Sequence, residues 1–180
     1  MRTRLAISAA AAVLALAACK RHADPQLNMA NVDYNEQTGM VTTKQGLQLN
    51  ASSAIGTCMS PEDTRRPESD FTPEQKRQIV SCFNAQTAQQ MNPQLPRQID
   101  EITRLDRLSA AGTVLTAYYT VSRSAASFGP NGPQQIEAIM RRTACSQAPT
   151  RQSIELGATY QYHYVDNQGQ QIAEFRIDQC

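Results

Sequence analysis

The chain has 180 residues, and its 17 Lys and Arg against 16 Asp and Glu give a formal net charge of +1. This near-neutral balance, without a basic stripe, argues against nucleic acid as a partner. The length suits one domain with a core of its own plus an extension. With two histidines and no CxxC or HxxxH pair, the sequence predicts no metal site.

The first nineteen residues have the layout of an export signal. Arg2 and Arg4 precede an apolar run, residues 5–18, whose one polar residue is Ser8. The run is shorter than the roughly 20 residues that a membrane-spanning helix needs, and small residues close it, as in signal peptides. Its last residues and the next one read Leu16-Ala17-Ala18-Cys19.

This ending resembles the lipobox of bacterial lipoproteins. The resemblance implies cleavage before Cys19, a diacylglycerol on its thiol and a further acyl chain on its freed amino group. Two or more acyl chains hold a protein stably on a membrane. An aspartate after the cysteine commonly retains Gram-negative lipoproteins in the inner membrane, so Lys20 implies the periplasmic side of the outer membrane. An ordinary signal peptide that ends in a chance cysteine is the alternative.

Cleavage divides the chain into a signal peptide of residues 1–18, a lipidated tether of residues 19–57 and a domain of residues 58–180. Loss of the two arginines of the signal changes the formal charge from +1 to −1. The tether is rich in Asn, Gln, Thr, Ser and Gly, and such a segment buries too little apolar area to offset its ordering entropy. Within it, a short hairpin of residues 32–34 with 40–41 is predicted.

The cysteines predict two disulfides. Once Cys19 carries lipid, four cysteines remain in an exported and therefore oxidising setting. Of the three possible pairings, Cys58–Cys82 with Cys145–Cys180 is favoured, because each bond then closes a local segment. Each bond stabilises the fold by about 2–4 kcal/mol, mainly by restricting the unfolded chain.

Two helices are predicted. Thr72-Pro73-Glu74-Gln75 offers a capping box with proline at the first helical position, and this helix runs to about Met91, where Asn92-Pro93 stops it. The second helix runs from Pro133 to about Cys145, because its apolar residues recur at helical spacing.

Two hairpins are predicted as well, residues 98–109 with 113–122 and residues 154–165 with 170–178. Apolar residues recur at every third position of the first strand, which fits neither a strand nor an ideal helix. The order helix–hairpin–helix–hairpin predicts an α+β domain, stapled by disulfides. Its two helices would pack on an antiparallel sheet of about four strands.

Residues 95–121, LPRQIDEITRLDRLSAAGTVLTAYYTV, are similar to a segment of small uncharacterised bacterial envelope proteins. In those proteins, too, an acidic stretch precedes a tyrosine-rich strand. This resemblance covers the C-terminal half of the chain at most, and it implies a place in the cell envelope.

The tyrosines of the hairpins are the candidate binding residues. Tyr160, Tyr162 and Tyr164 alternate and therefore share one face of a strand. Together with Tyr118 they predict a binding face, because tyrosine gives a rigid, amphipathic contact. Half-buried residues at the border of the core are the alternative. His163 lies on the opposite face, where a surface histidine is expected.

No catalytic constellation is evident. Asp100, Glu101 and Asp106 alternate with arginines, which predicts a self-paired surface rather than an acid–base pair. The sequence has no nucleophile elbow, phosphate loop or calcium loop. His163 as a base would need a nucleophile and an orienting acid nearby.

The sequence therefore predicts a non-enzymatic lipoprotein without a cofactor. Its partners would be membrane lipid, through Cys19, and another envelope protein, with the chain as an accessory or assembly factor of an envelope or secretion machine. An immunity or inhibitor lipoprotein against a cell-wall-directed toxin is the first alternative, with residues 124–133 as the inhibitory loop. A periplasmic hydrolase that uses His163 is the second.

Overall fold

The computed structural model describes residues 32–35, 40–43 and 46–180. The predicted signal peptide, Cys19 and Lys20 lie outside the described residues. The strands of the described part are β1 (Val32–Asn35), β2 (Met40–Thr43), β3 (Gln48–Asn50), β4 (Arg97–Gln98), β5 (Thr103–Ala111), β6 (Val114–Val121), β7 (Thr159–Asp166) and β8 (Gln171–Ile177). Its α-helices are α1 (Ala51–Cys58), α2 (Pro73–Met91), α3 (Gly132–Ser146) and α4 (Ala148–Glu155).

Helix α2 begins and ends where the sequence predicts. The Thr72 hydroxyl accepts from the Gln75 N–H at 3.2 Å, and Gln75 Oε1 accepts from the Thr72 N–H at 2.9 Å. This reciprocal pair satisfies two amides that the first helical turn leaves free. The helix then presents Val80, Ala88 and Met91 to the core.

The main sheet has five strands in the order β4-β5-β6-β7-β8. Both predicted hairpins are present, as β5 with β6 and β7 with β8. The structure confirms the α+β class but corrects the antiparallel sheet of about four strands, because β6 and β7 are parallel. Two helices, α3 and α4, connect β6 to β7, and such a crossover returns the chain to the end of the sheet from which it left.

Helices cover one face of this sheet; the other face, which no helix of the described residues covers, is called the open face. Helix α2 packs against β5, and α3 packs against β8. Alternate residues of β7 are buried, which is the pattern of a sheet that packs on a core with one face only. The shared core contains Leu105, Leu115, Tyr119, Tyr162, Phe175 and Ile177 from the sheet and Val80, Met91, Met140, Ala144 and Ile154 from the helices.

A second, three-stranded sheet, β1-β2-β3, precedes the main one. It includes the predicted hairpin, in which Tyr34 pairs with Val41. Val41, Leu47 and Leu49 have no exposed surface and belong to the core. The structure therefore corrects the predicted tether boundary at residue 57, because the chain from residue 40 onward already contributes to the domain.

Two glutamine side chains, Gln90 of α2 and Gln94 just after it, bind the outer edge of β3. The Gln48 N–H donates to Gln94 Oε1 at 2.8 Å, and Gln94 Nε2 donates to the Gln48 carbonyl at 2.6 Å. Gln90 bonds the backbone of Asn50 in the same way, at 2.8 and 3.5 Å. These side-chain amides form the hydrogen bonds that a neighbouring strand would otherwise form with the backbone of Gln48 and Asn50.

Helix α3 matches the second predicted helix, but α4 replaces an expected connection. Gln147 is extended, with φ −94° and ψ 115°, and separates the two helices. Pro149 lies in the first turn of α4, where a missing N–H costs nothing. Gly157 follows with φ +100°, so β7 begins at Thr159 rather than at residue 154.

Two disulfides join these elements. Cys58–Cys82 links the end of α1 to α2, with Cα atoms 5.5 Å apart, and Cys145–Cys180 links α3 to the segment after β8, with Cα atoms 5.4 Å apart. The favoured pairing is confirmed. Within the described ranges, no helix combines the length and the apolar character needed to cross a membrane.

Candidate functional site

The three alternating tyrosines of β7 lie in the core rather than on a binding face. Tyr160, Tyr162 and Tyr164 are 5%, 1% and 2% exposed. They do share one face, as predicted, but that face is the one that the helices cover. Tyr162 stacks on Phe175, with ring centroids 5.1 Å apart. The structure therefore corrects the predicted binding role of these three residues and favours the alternative that places them at the core.

Burial also sets the acidity of these phenols. It raises the pKa of Tyr160 to about 12, although the Ser153 hydroxyl, 2.7 Å from the Tyr160 hydroxyl, acts in the opposite direction. Burial raises the pKa of Tyr162 further, and among the described residues its hydroxyl has no hydrogen-bond partner. Both remain neutral phenols at physiological pH.

Tyr118 lies on the open face, where it forms a stacked pair with Arg107. The Arg107 Cζ lies 3.4 Å from the centroid of the Tyr118 ring, close enough for a cation–π interaction. The Ser109 hydroxyl and then the Arg107 guanidinium, both hydrogen-bonded to the Tyr118 hydroxyl, lower its pKa below the usual value of 10.0, against the effect of partial burial.

The stacked pair belongs to a row of four side chains that runs across four strands. Arg107 pairs in register with Tyr118, Tyr118 with His163, and His163 with Glu174. The Tyr118 and His163 rings lie 5.6 Å apart, and His163 Nδ1 lies 3.6 Å from Glu174 Oε2. We call these four residues the polar row. His163 thus lies on the face opposite the alternating tyrosines, as the sequence predicts.

Further polar groups flank this row on the open face. Thr120 Oγ1 donates to Asp106 Oδ2 at 2.6 Å, and Asp106 also pairs with Arg104. Gln161 Nε2 donates to Glu174 Oε1 at 2.8 Å. Both carboxylates of this face therefore have partners within the sheet.

The three acids that the sequence singles out do not converge. Asp106 pairs with Arg104 on the open face, as a self-paired surface requires. Asp100 instead lies in the turn before β5, where its Oδ1 accepts from the N–H groups of Ile102 and Thr103, both at 2.9 Å. Glu101, in the same turn, is exposed.

The polar row places no serine or cysteine in register with His163. His163 has a carboxylate beside it, but the residues in register with it are Tyr118 and Glu174, and neither is a serine or cysteine nucleophile of the kind that a histidine base activates. The four cysteines of the domain are held in disulfides. In the part of the chain that the structure describes, no three acids, histidines or cysteines are grouped to hold a metal ion.

Residues 124–133, the predicted inhibitory loop, are fixed to the domain. They contain a short 3-10 helix, Ala125–Phe128, and the Ala125 N–H donates to Asp166 Oδ2 at 3.0 Å. Phe128 packs against the core. This segment is therefore held on the body of the protein at Ala125 and Phe128, with exposed residues between and after them.

Sequence reasoning missed Arg107. A β-bulge between Leu105 and Arg107 shifts the strand by one residue and places Leu105 and Leu108 on the covered face. Arg107 then points to the open face. The signal was present as the three-residue spacing of apolar side chains, which fits no regular strand, within the segment 98–109 that was predicted to be one.

The sequence matches no protein-family model and no curated protein, but two solved structures share the fold with TM-scores of 0.50. A Pseudomonas aeruginosa protein described as secreted is 24% identical, with a TM-score of 0.50, over 57% of this chain and 92% of its own. A pilotin of the type 2 secretion system from Vibrio vulnificus is 15% identical, with a TM-score of 0.50, over 58% of this chain and 92% of its own.

A type II secretion system pilotin from Vibrio cholerae is 14% identical, with a TM-score of 0.48, over 58% of this chain and 93% of its own. At such identities the likeness is one of fold, and more than two fifths of this chain lies outside it. The chain has the fold of these domains together with a further segment.

Proposed function

We propose that this chain is a lipid-anchored, non-enzymatic protein-binding module on the periplasmic side of the outer membrane. It would serve as an accessory or assembly factor of an envelope or secretion machine. One observation carries the proposal: a chain that opens with an export signal and lipobox-like residues has the fold of a type 2 secretion pilotin from Vibrio vulnificus.

The N-terminal sheet limits how far the domain can lie from its expected anchor. Twelve residues, 20–31, separate the expected anchor Cys19 from the start of β1 at Val32. A fully extended chain spans at most about 3.6 Å per residue, so the anchor reaches roughly 45 Å from β1. The tether expected from the sequence would reach about three times as far. The partner should therefore lie close to the outer membrane.

The alternatives receive less support. An inhibitor that plugs a cleft needs a free loop, whereas residues 124–133 are bonded to Asp166 and packed on the core. A hydrolase needs His163 to lie beside a nucleophile within a pocket, whereas its neighbours on the open face are Tyr118 and Glu174.

The anchor is tested by metabolic labelling with a clickable palmitate analogue, followed by membrane fractionation. The wild-type chain should carry label and sediment with the outer membrane. The variant Cys19→Ala should lose the label and leave that fraction. A labelled protein in the inner membrane would refute the predicted location, and an unlabelled wild type would refute lipidation.

The partner is tested by formaldehyde cross-linking in intact cells, affinity purification and mass spectrometry, with an unrelated outer-membrane lipoprotein as the control. We expect selective enrichment of a component of an envelope or secretion machine. Enrichment of a cell-wall-directed toxin would favour the immunity alternative instead. No enrichment over the control would contradict the protein-binding role.

A further inference from the structure

The open face of the main sheet carries the polar row. Arg107 and Glu174 are exposed, and the side chain of His163 is 30% exposed. The four side chains of the polar row therefore lie at the surface, where a partner can contact them.

The two edges of this sheet are already bonded at one point each, on β5 beyond the short strand β4 and on β8. Asn92 bonds both backbone groups of Leu108 on β5. On β8, Arg141 donates to the Arg176 carbonyl at 3.1 Å. Addition of a partner strand to either edge would have to displace these bonds. The face itself needs no such displacement.

The charges of this face are unevenly compensated. The two carboxylates, Asp106 and Glu174, have partners within the sheet. Arg107 and Arg176 also point to this face, and among the described residues neither lies within 4.0 Å of a carboxylate. Together with Arg104, this face carries three arginines against two carboxylates, and Arg107 is an arginine of this face that has no carboxylate beside it among the described residues.

Arg107 is oriented before any partner arrives. Stacking on Tyr118 fixes the plane of its guanidinium, which carries five N–H donors in a rigid, planar arrangement. The N–H donors of a guanidinium lie along its edge, where they match the two oxygens of a carboxylate. A fixed arginine loses less side-chain entropy on binding than a free one.

We infer that the open face, centred on Arg107 and Tyr118, binds an acidic segment of the partner protein, with a carboxylate of that segment in the plane of the Arg107 guanidinium. The inference rests on the proposed protein-binding function and names the chemistry of its partner. An anionic membrane is a poorer occupant, because lipid surfaces attract clusters of about 4–8 basic residues, whereas this face has three arginines interspersed with two carboxylates.

The test is fluorescence anisotropy of a labelled hexaglutamate peptide, titrated with the full chain in detergent micelles at low ionic strength. Hexalysine peptide and phosphatidylglycerol vesicles serve as the comparison probes. We expect saturable binding of hexaglutamate that weakens as salt is added, and no binding of hexalysine. Arg107→Gln should weaken binding at least fivefold, and Arg107→Lys, which keeps the charge but loses the planar fork, should weaken it less.

The matched control is Arg151→Gln, which removes an exposed arginine from α4, a helix whose Ile154 packs in the core. It should bind hexaglutamate as the wild type does. Equal binding by the Arg107→Gln and Arg151→Gln variants would overturn the inference, as would wild-type binding of the anionic vesicles but not of the peptide.

The cross-linking experiment in cells tests the proposed protein-binding function separately. If Arg107→Gln captures the envelope partner as well as the wild type does, the protein-binding role stands and the acidic-segment inference fails. If hexaglutamate binding depends on Arg107 but no partner is enriched in cells, the proposed function fails and the chemistry of the face stands.

Discussion

The side-chain amide of Asn92 pairs with both backbone groups of Leu108. The Leu108 N–H donates to Asn92 Oδ1 at 2.8 Å, and Asn92 Nδ2 donates to the Leu108 carbonyl at 2.9 Å. Asn92 immediately follows α2, and Leu108 lies in the middle of β5. With Gln90 and Gln94 on the edge of β3, the C-terminal end of α2 thus holds the backbones of two different sheets.

Replacing Asn92 by Ala should destabilise the fold by about 1–2 kcal/mol, because two hydrogen bonds are lost and the edge of β5 is uncovered at Leu108. Urea denaturation of the full chain measures the change. Gln89→Ala is the control, since Gln89 is exposed on the same helix and bonds only Gln86. Equal midpoints for the two variants would show that the Asn92 pair contributes nothing.

The sequence predicted the elements whose signals are local. The capping box at Thr72, the stop at Asn92 and the turn before Gln170 depend on neighbouring residues, and each is present in the structure. The direction of β7 depends instead on where the intervening helices return the chain. No local pattern encodes that return, so an antiparallel sheet was expected and a mixed one was found.

The tyrosines show the same limit at the candidate site. The alternation shows that Tyr160, Tyr162 and Tyr164 share a face, but it does not show which face of the sheet the helices cover. The amphipathic character of tyrosine permits either environment. The helix-covered face is defined by contacts of α2 and α3 with the sheet, which are distant in sequence.

Two buried tyrosines should respond in opposite ways to loss of the hydroxyl. Tyr160→Phe removes a hydrogen bond to Ser153 and should cost about 1 kcal/mol. Tyr162→Phe removes a buried hydroxyl that has no partner among the described residues, and should leave stability unchanged or raise it by about 1 kcal/mol. Thermal unfolding of both variants measures the difference.

Each variant is the control of the other, because both keep the aromatic ring in the core. A Tyr162→Phe variant that is destabilised as much as Tyr160→Phe would contradict the prediction. It would mean that the Tyr162 hydroxyl has a partner in solution.

Asp166 should make stability depend on pH. Its carboxylate accepts from the N–H groups of Ala125, Gln168 and Gln170, and these bonds lower its pKa below the usual 3.8, against the effect of burial. The unfolded chain therefore takes up the proton first as the pH falls. The stabilisation is complete well above pH 3.8 and is lost as the pH drops through the folded-state pKa.

The Asp166→Asn variant should therefore melt at a lower temperature than the wild type at neutral pH. The difference between the two melting temperatures should become smaller in acid. Calorimetry at several pH values measures it, with the exposed Asp178→Asn as the control. A gap that stays constant down to the lowest pH would show that the carboxylate charge has no part in holding residues 124–133.

The sequence did not predict that the N-terminal sheet belongs to the domain, because the composition of a segment does not show where its few apolar residues lie. The tether is polar overall, yet Val41, Leu47 and Leu49 fall where β2 and β3 meet α2. Three apolar residues are too few to predict a core segment by themselves. Their burial depends on Gln90 and Gln94, more than 40 residues away in the chain.

Leu49 and Gln48 provide the sharpest test of this segment, because they are neighbours in β3 and point to opposite sides. Leu49→Ala leaves a cavity at a fully buried position and should cost about 2–5 kcal/mol. Gln48→Ala removes an exposed side chain and keeps the backbone bonds to Gln94, so it should change stability by less than about 0.5 kcal/mol. Urea denaturation of the full chain measures both. If Leu49→Ala were as neutral as Gln48→Ala, β3 would contribute nothing to the core, and the longer tether expected from the sequence would be restored.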